Sequence, residues 1–481
     1  MAYKTIIGLE IHVELKTKTK MFCHCKNEFG EEANTNVCPI CLGLPGALPQ
    51  VNKEAINFAI KAGLAMNCKI HQHTRFDRKS YFYADLVKGY QITQDELPLC
   101  YEGHINIEDE DGNDKKIRLI RIHVEEDTGK SLHTDKGETL LDYNRSGVPL
   151  IEIVTYPDMN SAKEAREFLE KLKATVIYLG VSDGKMEEGS LRCDVNVNVA
   201  DTETGVKTNI SEIKNIGSFR GVEKAIEFEV SRHIALLEKG ENTKKETRRW
   251  DELKGESILM REKIKANDYR YAPDGDIPPM DIPDEMIDAV RKDMPELPDE
   301  KITRLMKDYG ISKDDAKTLS LDVSLANYYE ELAKKVGDNA LALNWLLGDV
   351  LRRLKEDNKS VDQMPFAIND LEKLLTLVKT NKINNNAGKK VLQEMFKAPE
   401  DPEAIVKRLG LVQVTDEGAI EAVVDKVLEA NPQSIEDFKN GKSRAFGFLV
   451  GQVMKEMKGK GNPQICLLYT SDAADDSLRV D

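Results

Sequence analysis

Ile7-Gly8-Leu9-Glu10-Ile11-His12-Val13-Glu14-Leu15 alternates strictly between apolar residues and small or titratable ones. That is the period of a β-strand with one buried and one polar face. The polar face carries two carboxylates, Glu10 and Glu14, flanking the imidazole of His12. An ordinary half-buried strand turns Thr, Ser or Lys to water, whereas this set offers oxygen and nitrogen ligands for a divalent cation, or acid and base groups. Alone it reads most simply as a solvated acidic strand; recurrence elsewhere in the chain makes it a candidate site.

The same design returns. Ile120, Ile122 and Val124 alternate with Arg121, His123 and Glu125, and Leu191, Cys193, Val195, Val197 and Val199 alternate with Arg192, Asp194, Asn196 and Asn198. Between them, Val148-Pro149-Leu150-Ile151-Glu152-Ile153-Val154 sets one carboxylate in an apolar run, where an unpaired charge would be costly, so Glu152 needs a partner. The stretch 208–215 places Glu212 and Lys214 on one face. Together these segments predict a mostly antiparallel sheet curved over a polar cavity that holds Glu10, His12, Glu125, Glu152, Arg192 and Asp194.

With 481 residues the chain is long enough for two to four domains, and 40% hydrophobic with 32% charged residues is ordinary for a globular protein. No membrane span or secretory leader is visible, which points to the cytoplasm. A net charge of −15 argues against bulk electrostatic attraction to nucleic acid and confines any RNA contact to local basic patches.

Cys23, Cys25, Cys38 and Cys41 form C-x-C and C-P-x-C pairs followed by Gly43, the spacing of a four-thiolate zinc ribbon. Two disulfides are the competing reading, disfavoured in a reducing compartment. Such a site is closed and therefore structural. Cys68, Cys100 and Cys193 read as buried small residues.

A first domain over 1–290 is expected to be α+β, with helices near 161–179 and 221–237 and a turn-rich segment at 267–279 in which Tyr269 and Tyr271 flank Arg270. That segment either caps the cavity or only connects. Beyond it, apolar residues at three- and four-residue spacing over 286–306, 314–336, 339–355, 365–378 and 387–396 predict an all-α domain spanning 291–400. A small all-α tail domain follows at 401–464. Lys439, Lys442, Arg444, Lys455 and Lys458 gather around its last helix, with Phe446 and Phe448 between them. They suit RNA backbone phosphate, or simply a solubilising helix end.

Several ordered motifs resemble one family: the 8–15 strand, the four cysteines, Tyr81-Phe82-Tyr83-Ala84-Asp85-Leu86-Val87-Lys88-Gly89-Tyr90-Gln91-Ile92, His123-Val124-Glu125-Glu126-Asp127-Thr128-Gly129-Lys130, Asp142-Tyr143-Asn144-Arg145-Ser146-Gly147-Val148-Pro149-Leu150-Ile151-Glu152, and Glu188-Gly189-Ser190-Leu191-Arg192-Cys193-Asp194-Val195-Asn196. On these the chain is similar, over nearly its whole length, to the B subunits of aspartyl/glutamyl-tRNA amidotransferases. It departs at Ala84 and Val87, where the family usually has proline. It departs again over 465–481, which reads as foreign sequence, disordered and dispensable, in place of a basic helix.

The resemblance implies a cradle domain bearing the zinc ribbon, a helical domain and a helical tail that binds tRNA. It implies ATP-dependent phosphorylation of the side-chain carboxylate of mischarged Glu-tRNA(Gln) or Asp-tRNA(Asn). Amidation follows, by ammonia that an amidase partner releases from glutamine, in a heterotrimer whose third member is another, smaller protein. The residues fit that chemistry. His12, Glu125 and Glu152 are expected to ligate Mg²⁺, with Glu10 close by. Arg192, Arg145 and Lys79 are placed to stabilise phosphoryl charge, and Asp194, Asn196 and Lys214 to orient water or nucleotide. Asp127-Thr128-Gly129-Lys130-Ser131 lacks the leading glycine of a phosphate loop and is not read as one. The competing class is a non-catalytic tRNA-binding adaptor whose carboxylate-lined face only holds a structural ion.

Overall fold

The computed structural model describes residues 3–262, 269–412, 417–439 and 443–457. The chain divides into two compact units, Met1–Thr303 and Arg304–Asp481.

The first unit is built on a nine-stranded sheet in the order Glu256–Glu262, Glu246–Asp251, Ser211–Lys214, Leu191–Asp201, Tyr3–Glu14, Pro149–Thr155, Asp114–Glu126, Cys100–Glu108 and Lys69–Ile70. The strand quoted first is thus the middle of the sheet. Ile7, Leu9, Ile11 and Val13 are all at most 1% exposed, and burying each is worth about 1.5–3 kcal/mol. Helices Lys53–Ala65, Ala162–Tyr178 and Phe219–Glu238 cover that apolar face. A one-residue slip would drive Glu10 and His12 into this core, so the alternation itself fixes the register. Ser161 and Ser218 start two of these helices, their hydroxyls accepting from Glu164 N at 3.2 Å and Gly221 N at 2.9 Å.

The pairing is antiparallel as expected, except that Ser211–Lys214 and Glu246–Asp251 run parallel, joined through the helix Phe219–Glu238. The expected alternation also breaks at Ile120. The register shifts between Val154 and Thr155 against Arg121 and Leu119, and the extra residue turns Ile120 outward, leaving it 39% exposed. Leu119 takes its place in the core.

Most of the remaining helices lie in the second unit, and several expected stretches are divided. The 286–306 pattern becomes Asp284–Lys292 and Pro298–Tyr309, separated by a segment with Pro295 at its centre. The 314–336 pattern becomes Lys313–Ser320 and Val323–Val336, because Asp322 caps the second helix by accepting from Ser324 N at 2.9 Å and Leu325 N at 3.2 Å. In 339–355 a π-helical turn, Trp345–Val350, is inserted. The Trp345 ring presses on Gly388, where a Cβ would come within 2.7 Å of it. Helices Glu417–Ala430 and Ser443–Glu456 close around Ile420, Val424, Val427, Leu449 and Val453. No helix among the described residues is long and apolar enough to cross a membrane.

Candidate functional site

The face of the large sheet turned away from the three helices collects the predicted residues by register. His12 stands opposite Glu152 on one side and Arg192 on the other, and Glu10 stands opposite Asp194. Across the next strand, Glu152 faces His123 and Leu150 faces Glu125. His12 Nε2 lies 3.5 Å from Glu125 Oε1 and 3.7 Å from Glu152 Oε2. His123 Nε2 closes the group from the opposite side, 3.1 Å from Glu152 Oε2 and 3.5 Å from Glu125 Oε2.

Burial works against charge on both carboxyls, yet His123 overrides it and holds Glu125 and Glu152 below the usual carboxylate range. Burial likewise opposes charge on His123, and the two carboxylates bring it up to about 8. Single ligand atoms of His12, Glu125 and Glu152 fall within 4.8 Å of one another, and an octahedral cation with bonds of about 2.1 Å would draw neighbouring ligands to about 3.0 Å.

Beside this group lies a second one. Glu10, Asp194 and Glu212 also bring ligand atoms within 4.8 Å, but Lys214 bonds Asp194 and reaches Glu212 Oε1 at 3.1 Å. Asn196 Nδ2 donates to Glu10 Oε1 at 2.9 Å. The site of Lys214 is thereby explained: burial disfavours its charge, but Asp194 and Glu212 hold its pKa above the ordinary value. At the other end, Arg192 Nη2 donates to Asp127 Oδ2 at 2.7 Å, and Arg145 Nε lies 3.5 Å from the same oxygen. Burial, with Asp127 adjacent, pushes Glu14 up to about 8.

A small sheet overhangs the face. Its central strand Asp77–Ser80 pairs with Tyr90–Thr93 on one side and with Ala272–Pro273 on the other. Thr93 Oγ1 donates to Glu125 Oε2 at 3.1 Å, and Gln94 Oε1 accepts from Val124 N at 3.0 Å. Lys79 stands in the field of Glu125 and Glu152, which keep it charged although burial opposes this. In the loop where Ala84 and Val87 replace proline, Lys88 binds Glu126 and Gly89 turns at φ 72°.

The four cysteines come together, with one Sγ each inside 4.8 Å. A tetrahedral zinc with bonds of about 2.3 Å would space its sulfurs about 3.8 Å apart, inside that limit. Cys38 N donates to Cys41 Sγ at 3.1 Å, and bonding to Cys23, with Lys20 Nζ 3.8 Å away, brings the Cys41 thiol down to about 5 against the pull of burial. This cluster could hold zinc. Cys68, Cys100 and Cys193 are buried and free.

Of the tail cations, Arg444 and Lys455 are exposed on helix Ser443–Glu456. Eleven positions apart, they share a stripe about 16 Å long with Phe448. Lys439 ends its helix, while Lys442 and Lys458 lie outside the described residues, as does the whole of 465–481. Sequence reasoning set His123 on the polar strand face but did not make it part of the site. Its position two residues before Glu125 was the available signal. Asp127, which gathers both arginines, lies past its strand, where alternation says nothing.

A polar strand face with a metal-ready group, overhung by a cation-bearing flap and accompanied by a four-cysteine cluster, defines a catalytic domain with a separate helical unit. Residues 5–288 match the model of the GatB/GatE catalytic domain, and residues 327–467 match that of the GatB domain. The chain is 53% identical over 468 residues to the B subunit of the aspartyl/glutamyl-tRNA(Asn/Gln) amidotransferase of Clostridium tetani, covering 97% of each chain. It is 54% identical over 464 residues to that of Finegoldia magna (96% and 98%), and 54% identical over 477 residues to that of Clostridium botulinum strain Loch Maree (98% and 99%). The chain belongs to the GatB family, the B subunits of glutamine-dependent amidotransferases, and carries its catalytic domain.

Proposed function

We propose that the polar face of the large sheet phosphorylates, with ATP, the side-chain carboxylate of Glu-tRNA(Gln) or Asp-tRNA(Asn) and then supports amidation of the acyl phosphate. The carboxylate oxygen attacks the γ-phosphorus and ADP leaves; ammonia then attacks the acyl carbon and phosphate leaves. The observation that carries this is the convergence of His12, Glu125 and Glu152 within 4.8 Å under Lys79. Their donors suit Mg²⁺, which when bound would neutralise phosphate charge. His123 holds Glu125 and Glu152 ionised and oriented. Lys79, Arg192 and Arg145 offer positive charge to the transferring group, the two arginines aligned through Asp127. Asn196 and Lys214 hold Glu10 and Asp194 beside them.

In this reading the sheet domain is the cradle, the cysteines are a structural zinc ribbon, and the Arg444–Lys455 stripe of the tail meets tRNA phosphates. An amidase partner supplies ammonia from glutamine, and a third, smaller protein makes the complex a cytoplasmic heterotrimer. The test is amidation by the assembled complex, given each misacylated tRNA separately, with Glu125→Gln as the variant. The reading expects product from at least one tRNA, lost in the variant while tRNA binding persists. Equal loss of binding and turnover would favour an adaptor.

A further inference from the structure

The turn-rich segment around Arg270, which the chemistry above leaves unused, builds an aromatic array with the 81–83 loop. Tyr83, Tyr81, Tyr269 and Tyr271 follow one another with ring centroids 6.0 Å apart at each step and interplanar angles of 67°, 72° and 69°. The backbone locks the two segments together: Ser80 N donates to Tyr269 O at 2.8 Å, and Ala272 pairs with Arg78. Cations interleave with the rings. Lys79 Nζ sits 5.1 Å from the Tyr269 centroid, and the Arg270 guanidinium lies 5.9 Å from that of Phe82. The outer rings remain open, with Tyr83 62% and Tyr271 41% exposed. A hydrophobic core would not leave large rings so open; aromatic faces interleaved with positive charge suit an unpaired nucleobase and its phosphate.

The array also lies close to the reacting group. Tyr81 feels the charge of Glu125, and Tyr271 that of Glu152. A glutamyl or aspartyl side chain extends only one or two methylenes beyond its α-carbon, so the terminal nucleoside of the aminoacyl-tRNA must sit near the carboxylate being phosphorylated. The adenine of ATP is separated from its γ-phosphate by a ribose and two further phosphates and has no such constraint. We infer that the Tyr83–Tyr81–Tyr269–Tyr271 array stacks the terminal adenine of the aminoacyl-tRNA and so delivers its side-chain carboxylate to His12, Glu125 and Glu152. This rests on the proposed function, but its first test does not depend on turnover.

The complete complex is titrated against deacylated tRNA(Gln) ending in 2-aminopurine, whose fluorescence falls on stacking. The array predicts strong quenching on binding, abolished by Tyr83→Ala with Tyr271→Ala and kept by Tyr83→Phe with Tyr271→Phe. In turnover, the alanine pair should raise KM for Glu-tRNA(Gln) about tenfold, the fold-change of one lost stack, with KM for ATP unchanged. Because both rings are open to solvent, the melting temperature should not move. An unquenched wild-type complex, or a rise in KM for ATP alone, would overturn the inference. Quenching in a complex that makes no amide would instead overturn the functional reading and leave the stacking intact.

Discussion

His123→Ala removes the more deeply buried of the two imidazoles that reach both Glu125 and Glu152. His123 is 2% exposed, with its Nε2 3.1 Å from Glu152 and 3.5 Å from Glu125. Removing one partner of a buried ion pair costs about 3–5 kcal/mol, because the other charge stays buried. For a large domain each kcal/mol moves the melting point by about 2–4 °C, so the metal-free first unit should melt roughly 10 °C lower. A dication held by His12, Glu125 and Glu152 would neutralise the same carboxylates, so saturating Mg²⁺ should recover most of that loss. The affinity for Mg²⁺ should itself fall about 10- to 100-fold, the usual weight of a residue that orients metal ligands. Calorimetric melting of both proteins, in chelator and in Mg²⁺, separates the charge effect from the cavity the alanine leaves. A loss below about 1 kcal/mol, or one equal in both conditions, would mean that His123 does not offset the charge of Glu125 and Glu152.

Glu229 is fully buried, accepts from Arg232 Nη2 at 2.7 Å and pairs with Arg248 and His233. These partners outweigh its burial and bring it down to about 2. A carboxyl depressed in the folded state stabilises above its unfolded pKa, so roughly 3 kcal/mol should be present above pH 4.5 and lost as pH falls towards 2. Glu229→Gln should flatten the acid limb of a melting-temperature profile there. Cys23→Ser should leave the purified protein with less than one equivalent of zinc by metal analysis and lower its melting temperature, whereas Cys68→Ser should leave the zinc content unchanged. Arg444→Glu with Lys455→Glu should raise KM for aminoacyl-tRNA, leave kcat unchanged, and reduce the salt slope of tRNA binding by about 1.5.

The sheet was legible because strict alternation leaves one register for each strand: Ile7 to Leu15 could only bury its isoleucines by raising His12 and Glu10. The same logic found Glu152 and demanded its partner. Alternation fails where the chain inserts a residue, as at Ile120, and past strand ends, as at Asp127. Helical periodicity located the helices but not their breaks, since an N-cap such as Asp322 interrupts the backbone without disturbing the apolar spacing. The aromatic array was invisible because its halves lie nearly two hundred residues apart and meet through tertiary backbone contacts, the Ser80–Tyr269 hydrogen bond and the pairing of Arg78 with Ala272.

The most direct test of the phosphorylation claim follows one atom. Glu-tRNA(Gln) carrying heavy oxygen in its side-chain carboxylate is turned over by the complete complex with ATP and glutamine, and the released phosphate is weighed by mass spectrometry. An acyl phosphate formed on this sheet predicts that phosphate gains one heavy oxygen per amide formed, and that Glu125→Gln abolishes both. Amide formed with unlabelled phosphate would contradict the account.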